Sequence, residues 1–534
     1  MEATHALWLL AVPMAAVTVA GLSRRWGLSA PLVLVIAGLL VTFVPGVPRF
    51  ELDPEFVLYV FLPPLLFSAA WQSSYYNLRE NIRPIGLLSV GLVLFTTFVV
   101  GYTAYLLVPG LPLAAAFVLG AIVAPPDAIA AVSVAQRLGL PRRTVTILVG
   151  ESLFNDATAL TAFRVAVAAA AGAGFTLLDG VGRFLFAALA GAAIGLVLGP
   201  PLHWLRTRLN DPLVENGVAV LAPFAAYLIA EALHASGVIA VVVSGLYLGH
   251  RFTESAAVTR IIGHSFWKIV IFILESVVFL VIGLQLPEVL DGVSGHGWMS
   301  LTWWAFAIFA VTVITRFVWV FPAGYLPRLL SERIRTKESW YGWRAPVVVS
   351  WAGMRGVVSL AAAFAIPILT SSREPFPGRD LILFLTFTTV LATLLVQGLT
   401  FPMLIRRLGI GSAREEYADR VAEAGAQHAA AKAALDRLEE LLAAEPSPID
   451  ETVTERLRQL AEHRQLRAWE RLGGGTGPEG EEVPTITYRR LRREMLAAER
   501  QVFIQMRDER RIDDEVLNRV LHELDLEEAA LHRD

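Results

Sequence analysis

The sequence contains no cysteine, which excludes disulfides, thiolate metal sites and cysteine catalysis. Charge is scarce. Of the 534 residues only 17% are Asp, Glu, Lys or Arg, against about 25% in an ordinary soluble domain. Hydrophobic residues make up 55%, so the chain is not disordered, since a disordered chain is poor in apolar residues. The scarcity is also uneven. Residues 411–534 carry 19 basic and 28 acidic side chains, whereas residues 1–410 carry 26 and 20. The net charge is therefore +6 over 1–410 and −9 over 411–534, with long uncharged runs in the first part. A single soluble globule does not have this pattern. It predicts a membrane domain over 1–410 and a cytoplasmic, helical C-terminal domain over 411–534. The first apolar stretch has no basic residue ahead of it and Arg24 and Arg25 behind it. A secretory signal carries its positive charge first, so this stretch reads as a retained membrane helix.

A spanning helix needs about 20 mostly apolar residues. Thirteen segments qualify: 6–22, 28–45, 55–71, 84–108, 112–135, 144–171, 180–203, 213–233, 235–249, 264–286, 298–326, 345–369 and 381–405. The eighth and ninth are joined by a tight turn expected near His234–Gly237. If the N-terminus lies outside, alternate connections are cytoplasmic and rich in Lys and Arg. Those connections hold 18 basic residues and the opposite ones hold 4. An error of one helix would scramble this asymmetry. The expected fold is therefore all-α and polytopic in the plasma membrane, with the N-terminus outside and the C-terminus cytoplasmic. Six helices, a linker helix and six more give two inverted repeats, a common plan of secondary transporters. Helix 5 then corresponds to helix 12, and both are interrupted, by Pro125-Pro126 and by Gly353, Gly356 and Pro367. Paired broken helices point to a binding site at the membrane midplane, although Pro and Gly are frequent in membrane helices in any case. In the tail, 418–443 and 491–531 have helical spacing, with loops at Pro446–Pro448 and Gly473–Pro478.

A charge at the bilayer centre costs about 2.5–3.5 kcal/mol, so such residues pair or work. They are Asp127, Glu151, Asp156, Arg164, Glu231, Lys268, Glu275, Arg316 and Arg355. Ser152 and Asp156 are four apart and share a helix face, with Asn155 one step round. Together they offer neutral and charged oxygens, the donors that hard cations take. Glu151 points elsewhere, and Arg355 on the other broken helix is its natural partner in a structural ion pair. Asp127 has two readings. It is either the N-cap of the second half-helix or a second carboxylate at the ion site, where half-helix ends face a cavity. Glu275 and Arg316 are candidates for a secondary polar network. Lys268 reads as a snorkelling residue near a cytoplasmic end. Glu231-x-x-His234 has the spacing of half a bridged metal site, but there is no second copy.

Four motifs carry a family resemblance: Phe61-Leu-Pro-Pro-Leu-Leu-Phe67, Ala124-Pro-Pro-Asp-Ala128, Gly150-Glu-Ser-Leu-Phe-Asn-Asp156 and Trp351-Ala-Gly-Met-Arg-Gly-Val-Val-Ser-Leu360. In this order, over residues 6–407, they resemble the monovalent cation:proton antiporters, specifically the bacterial type of the sodium/proton exchanger branch with Asn-Asp in helix 6. The resemblance implies that Asp156 binds either a proton or a cation, and that Asn155, Ser152 and Asp127 belong to the ion site. It implies that Glu151 and Arg355 form the structural pair, that helices 5 and 12 cross, and that the protein is a homodimer without a soluble cofactor. Two departures stand out, Ser68 where many relatives have Glu and Pro126 where many have Thr.

The expected activity is electroneutral exchange of Na⁺ for H⁺, serving Na⁺ extrusion and pH homeostasis. In a partly dehydrated cavity the Asp156 carboxylate takes a proton or a Na⁺, not both, because burial disfavours the bare charge. K⁺ is the alternative substrate and Li⁺ a further one. A cation channel is the remote alternative, but the sequence has no repeated carbonyl-loop filter. No Ser-His-Asp or His-metal cluster lies at membrane depth, so an enzyme is not expected. The partners are these ions, membrane lipid and a second copy, with no nucleic acid.

Overall fold

The computed structural model describes residues 3–27, 29–44, 57–127, 132, 134–135, 138–171, 177–209, 211–332, 342–370, 373–410, 413–444, 450–472 and 484–531. Most of the expected second half of helix 5 lies outside them, as do Arg49, Arg137, Arg333, Arg335, Lys337 and the two expected tail loops. The chain divides into two compact units, Met1–Gly411 and Ser412–Asp534.

Helix occupies every expected span of the first unit. The order is α1 (Ala3–Arg25), α2 (Ala30–Val41), α3 (Leu62–Trp71), α4 (Ile82–Leu107), α5 (Leu113–Val123) and α6 (Arg142–Ala170). There follow α7 (Leu177–Leu209), α8 (Pro212–Ala232), α9 (Gly237–His250), α10 (Ala257–Gly292) and α11 (Trp298–Leu330). The last two spans are the half-helices α12a (Arg344–Trp351) and α12b (Val357–Phe364), then α13 (Arg379–Leu408). The helix ends follow local chemistry. Asp211 caps α8 by accepting the Leu213 N–H at 2.8 Å, and Ser236 caps α9 by accepting the Ile239 N–H at 3.3 Å. The turn between α8 and α9 passes through His234 at φ 55°, where the sequence places it. Gly409, at φ 60°, closes α13.

Among the described residues, two large apolar cores pack this unit. One gathers α1, α2, α4, α5, α10, α11, α12a, α12b and α13 around Leu119, Ile122, Ile308 and Phe387. The other joins α3, α8 and α9 around Phe67, Tyr227 and Val241, with α6 contributing to both. Small residues let backbones meet, as expected where lipid offers no hydrophobic drive between helices. Gly191 and Gly195 of α7 lie against α9, where a Cβ on either would stand 2.6 Å from the carbonyl oxygen of Ser236 or Ala240. Gly38 of α2 and Gly283 of α10 meet at their Cα atoms. A Cβ on either would stand 2.9 Å from the other's Cα and would run into a backbone carbonyl, of Leu280 or of Val35 respectively.

The second unit contains α14 (Ala413–Ala444), α15 (Glu451–Leu472), α16 (Pro484–Asp508) and α17 (Asp514–Leu531). The helical stretch expected over 491–531 turns at Arg510, with φ 55°, so α16 and α17 are separate. They share a small core of Leu496, Leu524 and Leu531, backed by Phe503. Charge supplies most of the rest. Arg492 donates to both Glu527 oxygens at 2.7 Å and to Glu499 at 2.8 Å. Arg500 reaches Asp525 at 2.8 Å and Glu528 at 2.5 Å. The arginine holds the Glu527 carboxyl below the usual carboxylate range.

Because neither backbone at the α2–α10 crossing can yield, Gly283→Ala is expected to destabilise the membrane unit by roughly 1–3 kcal/mol or more. A lowered melting temperature in detergent checks this. Gly21→Ala, where nothing lies within 4 Å, is the control and should leave it unchanged.

Candidate ion-binding site

Two helix breaks meet inside the first unit. Helix α5 stops at Val123 ahead of Pro125-Pro126, and the chain runs non-helically to Asp127. Helix α12 stops at Trp351 and resumes at Val357, with Ala352–Gly356 unwound. The breaks touch, because the Asp127 N–H donates to the Met354 carbonyl at 2.6 Å. Each break frees buried backbone groups, which are costly to leave unpaired, and specific side chains take them up. Asn155 of α6 donates its amide to the Pro126 carbonyl at 2.7 Å. Arg355 donates Nε–H to the Val123 carbonyl at 3.0 Å and Nη1–H to the Gly353 carbonyl. Its own backbone N–H goes to the Thr393 hydroxyl at 3.1 Å.

These contacts correct two sequence expectations. Glu151 pairs with Arg316 of α11, not with Arg355. The pair is bidentate, with Nη1–Oε1 at 2.5 Å and Nη2–Oε2 at 2.7 Å, and the two side chains are 2% and 1% exposed. Two parallel charge-assisted bonds suit a planar guanidinium facing a carboxylate. The third Arg316 donor, Nε, reaches the Val349 carbonyl at 3.0 Å. Arg355 is unavailable because its guanidinium serves the carbonyl ends of both half-helices, where cations are favoured by the helix dipole. The Glu275–Arg316 network is likewise not formed, since Glu151 occupies Arg316. Glu275 instead lies where it feels the charges of Asp127 and Arg24. Sequence reasoning also missed the partner of Arg164, which clasps both oxygens of Glu231 at 3.0 Å.

The four ion-site candidates fall as follows. Glu151 and Asn155, four apart on α6, face the breaks and are consumed by Arg316 and Pro126. One step round, Asp156 is 6% exposed and makes no hydrogen bond or ion pair to any described residue. It feels the charge of Asp127. Asn155 is fully buried, and its Oδ1 has no hydrogen-bond partner among the described residues. Ser152 lies one turn before Asp156 and is half-buried. Asp127 is wedged against the unwound segment, where a Cβ on Gly356 would stand 2.6 Å from its Cβ and Cγ. Only glycine admits the carboxylate so close. Ser68 is buried on α3 and accepts a hydrogen bond from Gln72 at 2.9 Å. The arrangement thus brings together a buried, uncommitted carboxylate, a second carboxylate and a free amide oxygen, the donor set of a hard monovalent cation.

Residues 13–407 match the family described as sodium/hydrogen exchanger, transmembrane. An uncharacterised Na⁺/H⁺ exchanger of Mycobacterium tuberculosis is 36% identical over 532 residues, covering 97% of this chain and 95% of the relative. A sodium, potassium, lithium and rubidium/H⁺ antiporter of Bacillus subtilis is 33% identical over 385 residues, 70% of this chain and 57% of the relative. Among solved structures, the sodium proton antiporter MjNhaP1 of Methanocaldococcus jannaschii matches with a TM-score of 0.60 at 20% identity, covering 76% of this chain and 99% of that one. At that identity the likeness concerns the fold.

A double-mutant cycle checks the pairing. Thermal unfolding of Glu151→Gln, Arg316→Met and their combination should give a coupling of about 1–3 kcal/mol, with a smaller one for Glu151→Gln and Arg355→Met. Gly356→Ala, which displaces Asp127, is expected to weaken monovalent-cation binding by calorimetry without a matching loss of thermal stability.

Proposed function

The chain belongs to the sodium/hydrogen exchanger family, and we propose that it exchanges Na⁺ for H⁺ at a single site built on Asp156. One observation carries this reading. Asp156 is a buried carboxylate to which no described residue is hydrogen-bonded or ion-paired, although Glu151, Arg316 and Arg355 close by are all committed to partners. A buried anion without a partner is penalised. It is relieved by a proton or by a small cation, but not by both at once. If the protein changes access only when the carboxylate is neutralised, each crossing carries one ion or the other, and exchange is obligatory. Asn155 Oδ1, Ser152 and Asp127 complete the cation's oxygen shell.

One exchangeable charge gives one H⁺ per cation, so the exchange is electroneutral provided Asp127 keeps one ionisation state through the cycle. Gradients then set the direction, toward Na⁺ extrusion and control of internal pH. The protein acts in the plasma membrane as a homodimer, N-terminus outside. Residues 1–410 form the exchanger domain and 411–534 a cytoplasmic helical domain. The Bacillus relative is named as an antiporter of potassium, lithium and rubidium as well as sodium, which favours K⁺/H⁺ exchange as the second reading.

Dye-reported pH in everted vesicles tests the site. Added Na⁺ should dissipate an acid gradient, and Asp156→Asn should abolish this. Competition also fixes the sign of the pH dependence. Below the pKa of the site, each unit fall in pH should raise the apparent KM for Na⁺ by up to about tenfold while Vmax stays constant. A cation screen in voltage-clamped proteoliposomes should show rates independent of potential, and a voltage-dependent rate would overturn electroneutrality.

A further inference from the structure

The unwound segment Ala352–Gly356 has two sides. One carries the site, since Met354 accepts the Asp127 N–H and Gly356 lies against the Asp127 side chain. Behind the other side runs α13, and the face it turns there is polar. Thr386, Thr389, Thr393 and Gln397 are each fully buried, at spacings that keep them on one side of a helix. Two bonds fix the register of that face. The Thr393 hydroxyl accepts the Arg355 N–H at 3.1 Å, and the Thr400 hydroxyl accepts Nε1–H of Trp351 at 2.9 Å. Gln397 falls between them and is thereby set opposite the residues between Trp351 and Arg355. Its neighbour Gly398 agrees, since a Cβ there would stand 3.5 Å from the Met354 sulfur. At this level α13 widens into a π turn over Thr393–Gln397, a distortion frequent at functional sites.

Neither the Nε2 nor the Oε1 of Gln397 has a hydrogen-bond partner among the described residues. A wholly buried amide with both ends unsatisfied is costly. An apolar side chain of the same size would fill the space without that penalty. What stands opposite is the unwound stretch in which the Gly353 and Met354 carbonyls are taken by Arg355 and the Asp127 N–H, leaving the Ala352 carbonyl and the Gly353 and Met354 N–H groups to be served. A Gln amide both donates and accepts, so it matches that stretch.

We propose that Gln397 is a positioning residue for the ion site, whose amide engages the freed backbone of Ala352–Met354 when the cation is bound and so sets Asp127 against Asp156. The inference rests on the reading of Asp156 as the ion carboxylate. Contact made in one state and not in another is what lets a remote group bias a binding equilibrium. Gln397→Leu then removes the grip and keeps the volume. Gln397→Glu keeps the acceptor and, when protonated, the donor as well.

The test is Na⁺-driven H⁺ exchange in proteoliposomes across pH, with Na⁺ binding followed calorimetrically on the same full-length preparations. Gln397→Leu is expected to raise the apparent KM and Kd for Na⁺ about tenfold, the loss of one buried hydrogen bond to the loaded state. Vmax should stay within about twofold, and the pH profile should move with KM. Gln397→Glu should recover the wild-type KM at acid pH and lose it as pH rises. Unchanged KM, Kd and pH profile in Gln397→Leu, whatever Vmax does, would overturn the proposal. Should Gln397→Leu fail to fold, Gln397→Met provides the same reading. Asp156→Asn separates the two claims. If it still binds Na⁺, the site itself is wrong, whereas if it loses Na⁺ while Gln397→Leu behaves as wild type, only the role of Gln397 fails.

Discussion

Backbone that leaves the helical ladder inside lipid must find other partners, and most of what is specific about this protein answers that requirement. Interrupting α5 and α12 frees carbonyls at Val123, Pro126, Gly353 and Met354. Arg355 takes two of them, Asn155 a third and the Asp127 N–H the fourth. These bonds, with that of the Arg355 N–H to Thr393, tie α5, α6, α12 and α13 together at the level of the two breaks. The glycines at 353 and 356 belong to the same solution, because side chains there would collide with Arg316 and Arg355 or with Asp127. Breaking two helices is expensive, and the gain is a place in the membrane lined by oriented polar groups instead of side-chain hydrocarbon.

The second constraint is charge. A buried ion pair scarcely stabilises a fold, but losing one partner of it is severe. Glu151 and Arg316 therefore stand together, fully committed and nearly solvent-free, while Arg355 spends its guanidinium on carbonyl dipoles. What remains is Asp156, adjacent to this assembly yet outside its bonding. The same few turns of α6 thus hold one carboxylate locked in an ion pair and, five positions on and about 140° round the helix, another with no partner among the described residues.

Much of this was legible in the sequence because the bilayer imposes lengths and penalties that a chain cannot disguise. Apolar spans located the helices, Pro125-Pro126 and Gly353 with Gly356 located the breaks, and the scarcity of charge at depth narrowed the ionisable groups there to nine, Asp156 among them. The identity of Glu151's partner was not legible. Arg316 lies 165 positions away on a helix with no motif around it, and only the packing of both α6 and α11 against α4 and α12a brings the two side chains within reach. Its one clue was isolation, as the single charge in the apolar stretch 298–326. Arg355, by contrast, sits in a conspicuous motif, which made it the tempting partner although the carbonyls beside it had first claim. The pairing of Arg164 with Glu231 was not legible for the same reason as that of Arg316, since nothing local announces a contact between α6 and α8.

The tail obeys different physics. Its α16–α17 pair has a core of only a few leucines, and its arginine clasps are open to water. Such contacts feel the ionic medium directly, because the screening length falls from about 8 Å at physiological salt to about 3 Å at molar salt. The cohesion of this appendage therefore slackens as the electrolyte around it thickens, while the dry Glu151–Arg316 pair, shielded from solvent, does not register the change.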